Sequence, residues 1–140
     1  QYGQDMVAIH AVPLKEVSNY GIFSGVWENK EESVLRITQI EEKPDCNKAR
    51  DFLCVSSREK TENYFAAFGA YVITSAVFDR LECAIQDNAV NAKGEVELTD
   101  ALSYVCDKQG MMAFIPDGKS YDLGNAESYR TTVSEFGTGR

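Results

Sequence analysis

The sequence predicts a single α/β unit in which helices flank a mixed β-sheet. Several runs of β-branched and aromatic residues alternate as strands do, and two segments have apolar residues at helical spacing. No internal repeat, low-complexity tract or linker divides the chain, and 140 residues suffice for one domain with a buried core. We therefore expect residues 1–140 to form one unit.

The first third of the chain is predicted to be mainly β. Residues 5–12 alternate and stop before Pro13, which favours a strand. A second strand is predicted over 20–26 and a third over 33–41, paired as an antiparallel hairpin across the polar turn "ENKEE". Pro44 then ends the third strand, because proline cannot donate to a sheet ladder.

The middle of the chain contains one clear strand. Residues 46–64 lack clean periodicity and predict a loop or a short helix. Residues 64–74 form a continuous apolar run, which is typical of a central strand buried on both faces. This run is the expected centre of the sheet.

Helices are predicted in the rest of the chain. The first has apolar residues at helical spacing between 77 and 85, with Ser75 as its N-cap. The second covers 100–109 and ends at Gly110. Residues 111–124 then predict a β-hairpin around the Asp-Gly turn, and a short amphipathic helix starts near Ala126.

Composition excludes several classes of function. The net charge of −8 argues against a nucleic-acid partner, which needs a basic surface. No apolar run reaches the length of about 18 to 20 residues that spans a membrane, and no signal pattern is present, so no membrane partner is expected. The four cysteines form no CxxC pair and the one histidine, His10, is expected to pack in a strand. Reduced thiols and a cytoplasmic location follow from this pattern.

The stretch "QIEEKPD" (39–45) is typical of a solvated strand end when it is considered alone. It is, however, one of five motifs that occur in a fixed order over nearly the whole chain. The motifs are "YGIF" (20–23), "EEKP" (41–44), "FGAYVI" (68–73), "GEVELTDAL" (94–102) and "KSYDLGNAESY" (119–129). Together they resemble the C-terminal half of the bacterial-type UTP–glucose-1-phosphate uridylyltransferases, also called UDP-glucose pyrophosphorylases.

The resemblance implies the C-terminal portion of a Rossmann-like, GT-A-like nucleotidyltransferase. The family's glycine-rich phosphate loop and its first magnesium aspartate belong to the N-terminal half and have no counterpart in this sequence. The resemblance therefore implies a sugar-binding part that is inactive alone. Residues 45–68 depart from the family pattern, so family contacts are not transferred to them.

Two adjacent residues would bind the sugar phosphate, as the resemblance implies. Glu42 would accept hydrogen bonds from sugar hydroxyls, and Lys43 would hold the phosphate and act in catalysis. Neighbours in a strand point to opposite faces, so both can serve one ligand only if the strand ends or bends there. Pro44 makes such an end plausible, and Glu41 is interpreted as an ordinary exposed charge.

The remaining site residues are also implied by the resemblance. Gly21, Ala67 and Gly69 would line the sugar pocket through their backbones, and Asp122 would bind Mg²⁺. Gly21 as a simple turn residue and Asp122 as a helix cap are the alternatives. Thr99 and Asp100 are interpreted as helix caps, and Tyr20, Tyr71 and Tyr129 as packing groups.

The partners implied by the resemblance are glucose 1-phosphate and UTP or UDP-glucose in the full enzyme. A thymidylyltransferase or guanylyltransferase of the same superfamily is one alternative, because the base is chosen mostly by the N-terminal half. A non-catalytic binding or assembly module, including a homo-oligomer formed through an exposed face, is the other.

Overall fold

The computed structural model describes residues 3–58, 61–91, 93–118, 121 and 126–136. Its strands are β1 (Asp5–Val12), β2 (Gly21–Trp27), β3 (Val34–Glu42), β4 (Val55–Ser56), β5 (Glu62–Val72) and β6 (Met111–Phe114). Its helices are α1 (Cys46–Phe52), α2 (Ser75–Gln86), α3 (Leu98–Gln109) and α4 (Ala126–Glu135), with a 3-10 helix at Leu14–Asn19. The predicted mixed α/β class is confirmed.

The strands form one mixed sheet in the order β1-β6-β3-β2-β5-β4. β1 and β6 are parallel, and the other neighbours are antiparallel. β5 also pairs with β1, so the order of strands closes on itself. The predicted antiparallel hairpin across "ENKEE" is confirmed as β2–β3.

Helices cover both faces of the sheet. One core cluster joins the strands to α2 and α3 and includes Val77, Leu102 and Val105. A second cluster packs the 3-10 helix and α1 against the other face through Val17 and Leu53. The two clusters place α3 and α1 on opposite sides of β3, and this determines which side chains can meet at the end of that strand.

The first arm of the predicted hairpin over residues 111–124 is β6, and most of the return arm, residues 119–120 and 122–124, lies outside the described residues. β6 lies between β1, which it pairs with in parallel, and β3, which it pairs with antiparallel. Both edges of β6 are therefore occupied by strands from the first third of the chain. The turn signal at Asp117-Gly118 is local, so it could not indicate that β6 pairs with β1 and β3, which lie much earlier in the sequence.

The prediction of a strand buried along its whole length holds for only part of β5. Its place between β1 and β2 is as expected, and residues 64–66 are buried. Phe68 is 41% exposed and Val72 is 67% exposed, whereas Tyr71 at the same end of the strand packs against the main core cluster. The apolar run therefore predicted the central position of this strand correctly and its burial only in part.

Helix starts were predicted less well than helix bodies. α2 is capped at Thr74, and Ser75 is its first residue. α3 is capped at Glu97, so the interpretation of Thr99 and Asp100 as caps is wrong. Gly110 ends α3 with a φ of 76°, as predicted.

The unassigned segment after Pro44 contains α1. Asp45 caps this helix by accepting hydrogen bonds from the backbone N–H groups of Asn47 (2.8 Å) and Lys48 (2.9 Å). All four cysteines lie in the described residues and none forms a disulfide. Among the described residues, no helix is long and apolar enough to cross a membrane.

Candidate functional site

A β-bulge determines which glutamate at the end of β3 faces α3. The β2–β3 register slips by one residue at Thr38. Ile37 is buried before the slip and Ile40 after it, so the buried side chains change parity at this point. The bulge therefore brings Glu42 to the face that carries α3.

Glu41 consequently points to the opposite face of the sheet from Glu42. Its carboxylate forms an ion pair with Lys48 of α1 at 2.5 Å. This contact is on the side of the sheet covered by α1, and it is consistent with the interpretation of Glu41 as a surface charge. Two neighbouring glutamates thus have different partners on opposite faces of one strand.

The backbone turns sharply directly after Glu42. Lys43 has a φ of 45°, in the left-handed region that few non-glycine residues adopt. Its N–H donates to the carbonyl of Tyr20 at 3.0 Å, which fixes this conformation against the start of β2. As a result the Lys43 ammonium lies 3.1 Å from Oε1 of Glu42, on the same side of the sheet. The structure therefore brings together the two residues that the motif singled out.

Thr99 approaches the same carboxylate from the other side. It lies in the first turn of α3, and its Oγ1 donates to Oε2 of Glu42 at 2.7 Å. Sequence reasoning missed this contact, because Thr99 and Glu42 are 57 residues apart and threonine near a helix start is a common cap. The only signal was that both residues belong to the ordered set of motifs.

Gly21 leaves the space that these groups occupy. It lies directly opposite Glu42 in the β2–β3 register. A Cβ on Gly21 would be 3.0 Å from Oε2 of Glu42 and 3.4 Å from Oγ1 of Thr99. Glycine at this position is therefore explained by the packing of the carboxylate, and a direct approach to a sugar remains a prediction.

Ala67 and Gly69 lie on the neighbouring strand β5. Ala67 follows Ala66, which pairs with Ile22, and it packs against the main core cluster. Gly69 has a φ of 84°, and a Cβ there would meet nothing within 4 Å. Gly69 is therefore required for its backbone conformation and does not share the close packing at Gly21.

The electrostatic environment favours a charged Lys43. Its pKa is raised above the ordinary value, mainly by the hydrogen bond and charge of Glu42, with smaller contributions from Glu97 and Glu95. Burial, followed by the charge of Glu42, also raises the pKa of Tyr71. Tyr71, interpreted from the sequence as a packing group, therefore packs on the core within electrostatic range of the carboxylate.

The loop before α3 is organised by Asn91. The side-chain oxygen of Asn91 accepts from the N–H groups of Lys93 (2.8 Å) and Glu95 (3.1 Å). Its side-chain amide donates to Oε1 of Glu97, the cap residue of α3, at 2.5 Å. These bonds fix the start of the helix from which Thr99 reaches Glu42.

The predicted metal ligand Asp122 lies outside the described residues, so its alternative interpretation as a helix cap is also left open. Within the described part of the chain, no group of three or more histidine, cysteine, aspartate or glutamate side chains could hold a metal ion. A metal site built on Asp122 stays a prediction.

The side chains at the end of β3 offer hydrogen-bond acceptors and a positive charge next to one another. A half-buried carboxylate can accept hydrogen bonds from hydroxyl groups, and an exposed ammonium beside it can hold an anion. The hydroxyl of Thr99 and the backbone of Gly21 lie beside the carboxylate of Glu42. Such a set suits a small polyol that carries a phosphate.

Comparison with known proteins identifies the class to which this fold and site belong. A family model described as "Nucleotidyl transferase" matches residues 1–138. The chain therefore belongs to the nucleotidyl transferase family.

The sequence relatives of the chain include bacterial uridylyltransferases. The chain is 29% identical over 129 residues to the UTP–glucose-1-phosphate uridylyltransferase of Pseudomonas aeruginosa, covering 92% of the chain and 40% of the relative. It is also 29% identical to the uridylyltransferase of Haemophilus influenzae, covering 96% and 41%. The chain thus spans about 40% of the length of these relatives.

Solved structures agree with the sequence relatives. Apo UDP-glucose pyrophosphorylase superposes with a TM-score of 0.73 at 28% identity, covering 95% of this chain and 42% of that one. UDP-glucose pyrophosphorylase complexed with UDP-glucose gives 0.74 at 29% identity, covering 95% and 44%. The predicted fold is therefore confirmed as that of a nucleotidyltransferase.

Proposed function

We propose that the chain is the sugar-1-phosphate-binding part of a UTP–glucose-1-phosphate uridylyltransferase. The complete reaction would convert UTP and glucose 1-phosphate into UDP-glucose and pyrophosphate. The observation that carries the proposal is the left-handed turn at Lys43, which places its ammonium beside the Glu42 carboxylate. Backbone strain of this kind, in a residue other than glycine, is concentrated at functional sites.

Glu42 and Lys43 would divide the recognition of the ligand. The carboxylate oxygens of Glu42 accept hydrogen bonds, and neighbouring hydroxyls of a sugar are donors of suitable spacing. The ammonium of Lys43 has three donors, so it can keep one on Glu42 and offer two to phosphate oxygens. Glu42 raises the pKa of Lys43 above its ordinary value, so the ammonium stays charged to a more alkaline pH than a free lysine. Gly21, Ala67 and Gly69 would contribute backbone to the pocket, Gly21 most closely because it lies opposite Glu42.

The proposed chemistry needs no protein nucleophile. A phosphate oxygen of glucose 1-phosphate attacks the α-phosphorus of UTP in line, the bond to the β-phosphate breaks, and pyrophosphate leaves with its electron pair. The protein accelerates such a step by positioning the two phosphates and by neutralising oxygen charge. Lys43 would supply both effects on the sugar phosphate, which is why we assign it a catalytic role.

We also propose Asp122 as a ligand of Mg²⁺. A carboxylate oxygen suits this hard cation, which when bound would neutralise charge on the phosphates. A Mg²⁺ titration of the chain with UDP-glucose, followed by NMR, tests the assignment. Asp122→Asn should remove the Mg²⁺-dependent shifts and Asp117→Asn, a nearby matched change, should not. Equal responses in both variants would refute it.

Calorimetric titration of the 140-residue chain with glucose 1-phosphate tests the proposed ligand. Lys43→Ala should weaken binding by about tenfold or more, because a charge-assisted hydrogen bond is lost. Lys48→Ala is the matched control, since Lys48 pairs with Glu41 on the other face. If glucose 1-phosphate does not bind, or if both lysine variants bind alike, the proposal is wrong.

The chain alone is proposed to bind without turnover. Its matches cover about 40% of the relatives, and the phosphate loop expected of the family's N-terminal half has no counterpart in its sequence. Mixed with UTP, Mg²⁺ and glucose 1-phosphate, it should release no pyrophosphate. Clear pyrophosphate release would show that the chain is a complete enzyme. Competition among UTP, dTTP and GTP in a protein that also contains the N-terminal half would decide the base.

Assembly through an exposed face is a second candidate function. Phe68 and Val72 on β5 are apolar and exposed. Exposed apolar patches mark interfaces more often than chance. Sedimentation of the chain over a range of concentrations would detect a homo-oligomer, and a strictly monomeric profile would count against one.

A cytoplasmic location remains a proposal based on the absence of disulfides.

A further inference from the structure

Thr99 makes a contact that its usual role does not require. Threonine in the first turn of a helix normally bonds to its own helix, yet Oγ1 of Thr99 donates to Glu42 on β3 at 2.7 Å. The threonine is half-buried, and its branched side chain has few rotamers in a helix. The hydroxyl is therefore held in a fixed position relative to the sheet.

The two oxygens of the Glu42 carboxylate have different partners. Oε2 accepts from Thr99, and Oε1 accepts from the Lys43 ammonium at 3.1 Å. Gly21 leaves room on the side of Oε2, where a Cβ would be only 3.0 Å from that oxygen. Each oxygen keeps acceptor capacity beyond these bonds, because a carboxylate has about four acceptor positions.

We propose that Thr99 is a positioning residue that holds the plane of the Glu42 carboxylate for binding sugar hydroxyls. This inference rests on the proposed function. With Thr99 in place, Glu42 shares only one oxygen with Lys43 and presents the rest of its acceptor positions to the ligand. Without the hydroxyl, the carboxylate is free to rotate and to engage Lys43 through both oxygens.

The position of Thr99 is in turn set by the loop before α3. Asn91 ties that loop to Glu97, two residues before Thr99. The chain of contacts from Asn91 through the start of α3 to Glu42 joins a loop to the end of β3. Thr99 acts through Glu42, so its removal should affect hydroxyl recognition more than phosphate binding.

Comparison of Thr99→Val with Thr99→Ser tests the proposal in the full 140-residue chain. Valine keeps the shape and removes the donor, whereas serine restores the donor. We expect Thr99→Val to weaken glucose 1-phosphate binding by about tenfold, as for a lost hydrogen bond to a charged group, and Thr99→Ser to recover most of it. Binding of inorganic phosphate, which has no sugar hydroxyls, should change much less.

Thr131→Val is the matched control, because Thr131 is exposed on α4, away from the β-bulge that orients Glu42. The ¹³C resonance of the Glu42 carboxylate, compared among the variants without ligand, provides a second measurement. The resonance should move in Thr99→Val, return in Thr99→Ser and stay in place in Thr131→Val. If the wild-type chain fails to bind glucose 1-phosphate, the proposed function and the sugar role of Thr99 fail together. In that case, a shift of the Glu42 resonance in Thr99→Val would support the contact that orients the carboxylate but not a role in sugar binding. Unchanged sugar affinity or an unchanged resonance in Thr99→Val would overturn the positioning role.

Discussion

The ammonium of Lys43 lies 3.1 Å from Oε1 of Glu42, although the two residues are consecutive. In an extended strand their side chains would point to opposite faces. The φ of 45° at Lys43 breaks that alternation directly after β3 ends at Glu42. The acid and the base can therefore address one ligand.

Gly21→Ala should reduce sugar binding more than stability. The added Cβ would lie 3.0 Å from Oε2 of Glu42 and 3.4 Å from Oγ1 of Thr99, which are side-chain atoms that can move. We expect the affinity for glucose 1-phosphate to fall by about tenfold, as the charge-assisted bond of Thr99 is disturbed. Calorimetry with urea denaturation as the control measures both effects. An unchanged affinity would show that Glu42 does not need this space.

Gly25→Ala should instead destabilise the fold. Its Cβ would lie 2.1 Å from the carbonyl oxygen of Arg36, a backbone atom of the paired strand. Gly25 also adjoins the β-bulge that turns Glu42 toward α3. We expect the free energy of unfolding to fall by about 3 kcal/mol, as for a badly overpacked site. Urea denaturation measures this loss, and a change below that of Gly21→Ala would contradict the argument.

Tyr64 should make stability depend on alkaline pH. Burial, with contributions from Cys54 and Glu62, raises the pKa of Tyr64 from 10.0 to about 12. The folded state therefore keeps a proton that the unfolded state loses. The stabilisation is complete below pH 10 and is lost as the pH rises through 12.

Tyr64→Phe should remove this dependence. The difference in unfolding free energy between wild type and variant should shift by about 2 kcal/mol across that interval. Tyr104→Phe, at an exposed tyrosine on α3, is the matched control. Tyrosinate absorbance should show one group titrating near 12 in the wild type that is missing in Tyr64→Phe. A parallel pH profile for wild type and Tyr64→Phe would disprove the assignment.

Asn91→Ala should loosen the start of α3. Its side chain makes three hydrogen bonds, to Lys93, Glu95 and Glu97. We expect a loss of about 1 to 2 kcal/mol in unfolding free energy and weaker glucose 1-phosphate binding through Thr99. Asn47→Ala is the control, since that side chain accepts only a long contact of 3.5 Å from Arg50. Equal losses of stability and of glucose 1-phosphate affinity in Asn91→Ala and Asn47→Ala would show that Asn91 has no special role at the start of α3.

Much of the fold was predictable because its signals are local. Alternation marked β1, β2 and β3, helical spacing marked α2 and α3, and Gly110 marked the end of α3. The segment at Leu14–Asn19 gave no such signal, and its 3-10 helix was missed because short helices lack a periodic face. The pair Glu42 and Lys43 was found through the order of motifs.

The rest depended on the tertiary structure. β6 lies between β1 and β3, and this pairing joins segments that are far apart in the sequence, so no local pattern specifies it. The contact of Thr99 with Glu42 depends on how α3 packs against β3, over 57 residues of sequence.

The sequence by itself determined the strands β1, β2 and β3, the bodies of α2 and α3, and the acidic and basic residues at the end of β3. The tertiary structure decided which of two glutamates faces α3, through a one-residue bulge at Thr38. It also decided that Lys43 turns back onto Glu42. Periodicity is a property of neighbouring residues, whereas the phase of a strand and the partners of its side chains depend on pairing across the whole sheet.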